Sequence, residues 1–314
     1  SSFHRQPKPW HDPLPEQLSL TTLNAHIRGW LTGESDNWSA MDYERDWLSP
    51  AVGLIDDPAN AARLPLVIDL AKGNVLVVGA VASGKTTLIQ SIVLALAAAH
   101  SPAQLTIYGF DTSRSLTFLN DLPHVGAIVS PDETERVQRT FRRLTTLINQ
   151  RRRLFEEHQV NDITQYNQHN PDAPEPAVLV LIDSLEEFIE SNASLRETFS
   201  RFARDGQSAG IRFLVAADQA KTAGQYSSLF SERLALSLTD LTDYVSIIGR
   251  RVASSPEVEG RGYLRVGVNA LEFQTAIVTP RSNEPDSDLF SAKAFVTAAG
   301  ELIDGLNKAW EGPR

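Results

Sequence analysis

Several absences constrain the protein before any motif is considered. The sequence contains no cysteine, which excludes disulfides, thiolate metal sites and a thiol nucleophile. No apolar run approaches the roughly 18 residues that a membrane-spanning helix needs. The longest apolar stretch, from Leu88 to Ala99, contains polar residues and is typical of a buried helix. The first residues lack the basic and apolar regions of a signal peptide, so we expect no membrane span in this chain.

Positive charge is also scarce. Lys and Arg number 29 against 39 Asp and Glu, which gives a net charge of −10 and an isoelectric point near 5.2. This balance argues against a surface that wraps nucleic acid, because such a surface needs a basic face. The arginines at 142–143 and 151–153 are an exception. They form either a nucleic-acid stripe or, as we predict, the solvated face of a long helix.

An alternation of strands and helices begins at Leu66 and predicts an α/β fold with a mostly parallel sheet flanked by helices. Continuous apolar runs such as "AVLVLI", from Ala177 to Ile182, are typical of central strands buried on both faces. The capping box "SPDE" at 130–133, with proline at the first helical position, predicts the start of a long helix. The later segments "RLALSL", "YVSIIG" and "LEFQTAIV" are predicted to extend the sheet, with antiparallel strands at its C-terminal side.

The first 50 residues differ in composition from the rest. Residues 1–50 are rich in proline, tryptophan and polar residues. We predict a linker segment packed on the core, with one short helix near 19–31, followed by a single domain over 51–314. The segment contains four tryptophans, which either fix it to the core or mark a contact with a neighbouring module. They are Trp10, Trp30, Trp38 and Trp47.

The segment "GAVASGKT" at 79–86 matches the phosphate-binding pattern GxxxxGK[ST], and it follows a predicted strand and precedes a predicted helix. Its glycines let the backbone N–H groups point at the β-phosphate, beside the positive end of the helix dipole. Lys85 is predicted to reach the β- and γ-phosphates, and Thr86 to ligate Mg²⁺. The predicted ATP-binding residues are Gly79, Ala80, Val81, Ala82, Ser83, Gly84, Lys85, Thr86, Thr87 and Asp183.

Asp183 ends the strand "AVLVLI", where we predict that it holds Mg²⁺ together with Thr86; the alternative is an aspartate that only caps the next helix. The following residue is Ser184, although ATPases that split ATP usually carry a glutamate there to orient the attacking water. Such help is worth about 10² to 10⁴-fold in rate, and serine cannot supply it at neutral pH. Glu186 or Glu187 could replace the missing carboxylate. More simply, they begin the next helix, where carboxylates favour the positive end of the dipole.

These motifs resemble the FtsK/SpoIIIE P-loop ATPases over nearly the whole chain. They look most like one ATPase module of EccC (EssC in other bacteria), the multi-ATPase protein of type VII secretion. "LPHV", "FARDGQSAGIRFLVAADQ" and "EGRGYL" are similar to family blocks in order and spacing. Three departures resemble the degenerate second and third modules of EccC. Ser184 replaces an acidic residue, Gln207 stands where an arginine is expected, and Ala220 replaces the arginine of the motors' "TQRP" block.

The resemblance implies a RecA/FtsK-like P-loop fold that binds ATP and Mg²⁺ with weak or absent hydrolysis. It suggests Gln219 as a γ-phosphate sensor and Arg204 or Arg201 as an arginine acting in trans, beside the candidates Glu186 and Glu187. The implied partners are neighbouring ATPase modules of the same polypeptide and small helical secretion substrates rather than nucleic acid. The implied location is cytoplasmic, in the soluble part of a membrane-anchored protein. Two alternatives stay open: an active hexameric DNA or protein translocase, and a nucleotide-binding scaffold unconnected with secretion.

Overall fold

The computed structural model describes residues 12–39, 47–171, 173–281 and 288–312. Within these ranges the chain forms ten strands: β1 (Ala51–Asp57), β2 (Ala62–Val67), β3 (Val75–Val78), β4 (Leu105–Asp111), β5 (Val125–Val129), β6 (Ala177–Asp183), β7 (Ile211–Ala217), β8 (Glu232–Ala235), β9 (Arg261–Val266) and β10 (Asn269–Thr275). The same ranges contain ten α-helices: α1 (Leu20–Leu23), α2 (Ala25–Thr32), α3 (Lys85–Ala99), α4 (Thr134–His158), α5 (Ile163–His169), α6 (Leu185–Ser191), α7 (Arg196–Asp205), α8 (Ala220–Tyr226), α9 (Leu241–Ile248) and α10 (Ala292–Ala309).

The strands form one sheet in the order β2-β1-β10-β9-β8-β3-β7-β6-β4-β5. From β8 to β5 the neighbours pair in parallel, and from β2 to β8 they pair antiparallel. The predicted mostly parallel sheet with antiparallel strands at its C-terminal side is confirmed. Because β3, β7 and β6 are parallel neighbours, their carboxyl ends meet at one edge of the sheet, and the residues that follow them lie together.

Both faces of the parallel part of the sheet are buried. Side chains alternate between the faces of a strand, so Val75 and Val77 of β3 join the core around α3 while Leu76 and Val78 join the core on the opposite face. This double burial explains the continuous apolar runs of the central strands. The long helix α4 buries the apolar positions that helical spacing predicts: Val137, Phe141, Leu144, Ile148 and Phe155.

The longest apolar stretch of the sequence is a buried helix, as predicted. Residues 88–99 lie in α3, most of whose side chains are buried between the sheet and the peripheral helices α2 and α10. Over the described ranges, no helix combines the length and the apolar character needed to cross a membrane.

One predicted strand is a helix. The segment "YVSIIG" was predicted to extend the sheet, but it lies in α9. The Asp240 carboxylate caps the first turn by accepting a backbone N–H at 2.8 Å, and the helix ends at Gly249 with φ of 71°. The N-terminal cap at Asp240 and the C-terminal glycine favour a helix. They outweigh the preference of valine and isoleucine for strands, because that preference depends strongly on the surrounding structure. The helix buries one face, formed by Tyr244, Ile247 and Ile248.

The helix α4 begins later than its predicted capping box. "SPDE" predicted a start at 130–133, whereas the helix begins at Thr134. The Glu133 carboxylate still accepts a hydrogen bond from the Ser130 N–H at 3.0 Å, which is one half of the predicted box. The prediction therefore identified the local contact correctly and misplaced the first helical residue.

The N-terminal segment contains two short helices instead of the single predicted one near 19–31. Asn24 interrupts the helix because its backbone is extended, and its side chain caps α2 by accepting two backbone N–H groups. Both helices lie against β1, α3 or α10. The boundary predicted near residue 50 stays a prediction.

Tryptophan side chains fix this segment to the core. The indole N–H groups of Trp30 and Trp38 each donate to a backbone carbonyl at the end of α3, at 2.9 Å. Trp47 is 4% exposed, and Trp10 lies outside the described residues. The contacts agree with the first of the two predicted roles, attachment of the segment to the core.

The basic run of α4 contains one buried member. The arginines at 142–143 and 152–153 are exposed, as predicted for a solvated face. Arg151 is 1% exposed, forms an ion pair with Glu175 at 3.2 Å and donates to the Ala209 carbonyl at 2.6 Å. The prediction of a solvated face was therefore wrong for Arg151, because this side chain reaches the buried amino ends of the central strands.

Candidate nucleotide-binding site

The phosphate loop, residues 79–84, connects β3 with α3 at the carboxyl edge of the sheet. Gly84 has φ of +95°, a conformation that glycine adopts far more readily than other residues. A Cβ at this position would lie 2.8 Å from the backbone nitrogen of Gly260. The Gly260 N–H donates to the Ser83 carbonyl at 2.9 Å. The start of β9 therefore supports the loop from the outside, and both conformation and space require glycine at position 84.

Lys85 is 7% exposed, and all three donors of its ammonium group have an acceptor. The Nζ atom donates to the carbonyls of Gly79 at 2.8 Å and Ala80 at 2.7 Å. It also forms an ion pair with the Asp218 carboxylate at 2.9 Å. Asp218 directly follows β7, far from Lys85 in the sequence, and the sequence analysis did not identify it.

Thr86 and Asp183, the two residues predicted to hold Mg²⁺, are in direct contact, and their role in binding the metal stays a prediction. The Thr86 hydroxyl donates to Asp183 Oδ2 at 2.9 Å. Burial raises the pKa of Asp183 to about 6; the carboxylates of Asp111 and Asp218 also raise it, whereas Thr86 and Lys85 lower it. Several carboxylates thus share a poorly solvated region, and a cation placed between them would stabilise their ionised forms.

The donor set fits Mg²⁺ bound together with a nucleotide. A threonine hydroxyl and carboxylate oxygens are hard ligands of the kind that Mg²⁺ prefers, and Mg²⁺ is usually held by one or two carboxylates plus substrate phosphates. No group of three or more His, Cys, Asp or Glu side chains that could hold a metal occurs in the described part of the chain. The protein alone therefore offers an incomplete set of ligands, which phosphate oxygens would complete.

Ser184 is buried beside this site, and its hydroxyl has no hydrogen-bond partner within the described ranges. Glu186 and Glu187 lie in the first turn of α6. The Glu186 carboxylate accepts the backbone N–H groups of Asp218 at 3.1 Å and Gln219 at 2.9 Å. Glu187 is exposed. Both glutamates therefore begin the helix, as the simpler prediction had it, and Glu186 holds the end of β7.

The remaining candidates lie on the protein surface. Gln219 is exposed and follows Asp218 at the edge of the sheet. Arg201 and Arg204 are exposed on α7, which leads to the amino end of β7, whereas the phosphate loop lies at the carboxyl end of that strand. The two arginines therefore do not join the site of their own chain, and a role in trans stays a prediction.

A cavity of about 600 Å³ adjoins the phosphate loop. Gly84 and Thr87, which flank Lys85 and Thr86, line it, whereas Lys85, Asp183 and Asp218 do not. Its other walls come from distant parts of the chain, within 16–18, 115–118, 258–260, 274–277 and 290–296. This is why the sequence analysis missed the cavity and interpreted the N-terminal part only as a linker. Its apolar lining residues include Leu18, Phe118, Val258, Ile277, Phe290 and Phe295.

The loop with Gly79 and Gly84 connects the buried strand β3 with α3, and Asp183 ends β6, which is separated from β3 by one strand, β7. This arrangement defines the class of P-loop nucleoside triphosphatases. The FtsK/SpoIIIE family matches residues 40–270, and the chain belongs to this family.

The curated relatives are secretion proteins that are much longer than this chain. The ESX-4 secretion system protein EccC4 of Mycobacterium tuberculosis is 30% identical over 251 residues, which cover 76% of this chain and 20% of the relative. The ESX-5 secretion system protein EccC5 of Mycobacterium marinum is 26% identical over 313 residues, which cover 93% of this chain and 22% of the relative. The chain therefore spans about a fifth of the length of these relatives.

Solved structures of the same group share the fold. EccC of Thermomonospora curvata (ATPases 2 and 3), in complex with a signal sequence peptide, superposes with a TM-score of 0.78 at 22% identity and covers 97% of this chain and 54% of its own. EssC of Geobacillus thermodenitrificans (ATPases 2 and 3) gives a TM-score of 0.77 at 22% identity with the same coverage. At this identity the similarity shows the fold alone, and it confirms the predicted RecA/FtsK-like architecture.

Proposed function

We propose that this chain is a cytoplasmic ATP-binding module of a type VII secretion ATPase, and that it holds Mg-ATP with weak or no hydrolysis. The proposal is carried by the joint arrangement of Lys85, Thr86 and Asp183 at the phosphate loop, with Ser184 buried where a water-orienting carboxylate belongs. The EccC and EssC relatives, and the similar cytoplasmic domain of Thermomonospora curvata EccC, support the secretion context.

The phosphate end of the site offers a partner to each charged part of Mg-ATP. The loop amides and the start of α3 would receive the β-phosphate, and Lys85 would contact the β- and γ-phosphates. Thr86 and Asp183 would hold Mg²⁺, which neutralises phosphate charge when it is bound. The raised pKa of Asp183 supports this assignment, because a carboxylate that lacks solvation gains most from an added cation.

The cavity beside Gly84 and Thr87 would receive the nucleoside. Its lining residues Gly84 and Thr87 flank Lys85 and Thr86, so the cavity adjoins the residues that would hold the phosphates. Its volume of about 600 Å³ lies in the range of small-ligand pockets, which are mostly apolar with a few polar groups. Phe295 of α10 lies half-buried in its wall, in edge contact with Phe118 at 6.0 Å between ring centroids.

Phe295→Ala is expected to weaken Mg-ATP binding about tenfold, because contact between a base and an aromatic ring is worth about 1–3 kcal/mol. The same change should leave the binding of magnesium tripolyphosphate unaltered, since this ligand lacks the nucleoside. Titration calorimetry with both ligands measures the difference, and thermal unfolding of the free variant checks its folding. An equal loss for both ligands would contradict the assignment of the cavity to the nucleoside.

Weak hydrolysis follows from the side chains around the expected γ-phosphate. Ser184 cannot accept a proton from water at neutral pH. Glu186 accepts two backbone N–H groups at the end of β7, and leaving them would expose two unsatisfied donors. Glu187 points to solvent from α6. Bound nucleotide would therefore persist, with turnover near the unassisted rate of a P-loop site.

A persistent nucleotide would stabilise contacts with neighbouring ATPase modules or with small helical secreted proteins. A ligand that binds only one state stabilises that state by mass action, without any chemical step. The proposed nucleoside cavity is lined by both the N-terminal segment, at Glu16, Gln17 and Leu18, and by α10. The neighbouring modules in the similar structures, and the signal sequence peptide bound to one of them, support this proposal.

The nucleotide content of the purified chain tests the proposed function. The protein is denatured and any released nucleotide is identified by chromatography; single-turnover hydrolysis of added Mg-ATP is then followed. We expect recovered or readily bound adenine nucleotide, with turnover that is negligible over hours. Rapid turnover would favour an active translocase, and failure to bind any nucleotide would reject a nucleotide site altogether.

A further inference from the structure

We propose that Asp218 is a specificity-determining residue that disfavours the γ-phosphate, so that this site holds ADP at least as tightly as ATP. The inference rests on the proposed nucleotide site and concerns which nucleotide that site selects. It follows from where the fold places the Asp218 carboxylate and from what fixes it there.

The sheet places Asp218 directly beside the phosphate loop. In the register of β3 and β7, Val78 lies opposite Ala217, so Gly79 and Asp218 are the next residues on two neighbouring strands. The Gly79 N–H donates to the Ala217 carbonyl at 3.2 Å, which extends the pairing into the loop. The β7 strand lies between β3 and β6, so Asp218 follows the strand that separates β3, which leads into the phosphate loop, from β6, which ends at Asp183.

The Asp218 carboxylate uses the lysine donor that a γ-phosphate needs. Two donors of the Lys85 ammonium are held by the carbonyls of Gly79 and Ala80, inside the loop itself. The third meets Asp218 Oδ1 at 2.9 Å. Because a lysine ammonium has three donors, the terminal phosphate oxygen of ATP and the Asp218 carboxylate compete for one position.

Glu186 prevents the backbone at Asp218 from moving away. Its carboxylate accepts the N–H groups of both Asp218 and Gln219, at 3.1 and 2.9 Å. The Asp218 side chain itself is 39% exposed, so it can rotate toward solvent only by giving up its ion pair. ATP must therefore either tolerate a like charge beside its γ-phosphate or displace Asp218 from Lys85.

ADP avoids both costs. Its terminal β-phosphate is received by the loop amides and the start of α3 and contacts Lys85 in both nucleotides, whereas only ATP brings a further phosphate to the donor that meets Asp218. The region already contains the carboxylates of Asp111 and Asp183, which with Asp218 outnumber the nearby ammonium of Lys85. Every negative charge added at the γ-position increases this imbalance. Asp218 therefore discriminates between ATP and ADP at the γ-phosphate, and the contacts of the other phosphates are the same in both nucleotides.

The test compares the dissociation constants of Mg-ATP and Mg-ADP by titration calorimetry for the wild-type chain and three variants. Asp218→Asn removes the charge and keeps the shape, whereas Asp218→Glu keeps the charge. Glu190→Gln removes an exposed carboxylate from α6 and serves as the control for net charge. We expect Asp218→Asn to lower the ratio of Kd(ATP) to Kd(ADP) at least about tenfold, entirely through ATP. Glu190→Gln should leave the ratio within about twofold of the wild type.

An unchanged ratio in Asp218→Asn, or weaker ATP binding by it, would overturn the inference while leaving the nucleotide site intact. Loss of slow hydrolysis in Asp218→Asn with unaltered affinities would also overturn it and would make Asp218 the group that orients water. If the wild-type chain binds neither nucleotide, the inference that this site holds ADP fails, even where Asp218→Asn gains ATP binding. If Asp218→Asn also binds neither, both the inference and the proposed function fail. Thermal unfolding of each free variant excludes misfolding as the cause.

Discussion

Lys85→Ala is expected to weaken Mg-ATP binding by about 100-fold or more. The Lys85 ammonium is buried and is held against the loop by the carbonyls of Gly79 and Ala80, and a phosphate would take over the remaining donor, which meets Asp218. A hydrogen bond to a charged group contributes about 1.5–3 kcal/mol, and a low local dielectric strengthens the attraction to phosphate. A loss of about 3 kcal/mol corresponds to roughly 100-fold in affinity.

The measurement is titration calorimetry, together with the shift in unfolding temperature that saturating Mg-ATP produces. The wild-type chain should gain about 2.7 kcal/mol at a ligand concentration of 100 times Kd, and the variant should gain little at the same concentration. Lys72→Ala is the matched control, because its side chain is 80% exposed and forms an ion pair with Asp69 at 2.6 Å, outside the residues that would hold the nucleotide. Full ATP affinity in Lys85→Ala would place nucleotide binding elsewhere.

Removing Lys85 also takes a positive charge away from two carboxylates, those of Asp218 and Asp183. Without it, Asp218 loses its cationic partner and Asp183 loses a nearby charge that lowers its pKa. The free variant is therefore expected to melt below the wild type as well as to lose the nucleotide-dependent shift. The two effects are distinguished because only the second depends on ligand concentration.

The parts of the site that a single segment encodes could be predicted from the sequence. The phosphate loop requires glycine, lysine and threonine at fixed positions within eight residues, between a strand and a helix. The parallel strands were also predictable, because burial on both faces produces continuous apolar runs such as 177–182. Asp183 followed from its place at the end of such a run.

Contacts between distant segments could not be predicted in this way. The pairing of Lys85 with Asp218 depends on β7 lying beside β3, which no local pattern states. The engagement of Glu186 with the backbone after β7 has the same origin. The prediction of a strand where α9 lies failed for another reason. The helix cap at Asp240 and the terminating glycine at 249 were visible in the sequence, but the β-branched residues between them were given more weight.

Ser184→Glu is expected to raise single-turnover hydrolysis of Mg-ATP about 100-fold. Ser184 directly follows the residue that holds Thr86, and its buried hydroxyl has no partner among the described residues, so a longer side chain here begins inside the site. A carboxylate that orients or deprotonates water contributes about 10² to 10⁴-fold. We expect the lower end of this range because the new carboxylate joins Asp183 and Asp218, and like charges in a poorly solvated region disfavour ionisation.

Ser184→Gln is the matched variant, since it has the size of glutamate without its charge. If the missing carboxylate is what limits turnover, only Ser184→Glu gains activity, and adding Lys85→Ala to it removes the gain. The free Ser184→Glu protein should also unfold at a lower temperature than Ser184→Gln, because a buried carboxylate beside others is destabilising. Equal rates for the glutamate and glutamine variants would mean that another group limits turnover, such as an arginine supplied by a second module. A carboxylate at position 184 would then be insufficient to restore hydrolysis. The low activity of the wild-type chain would follow from the absence of a neighbouring module rather than from its serine at this position.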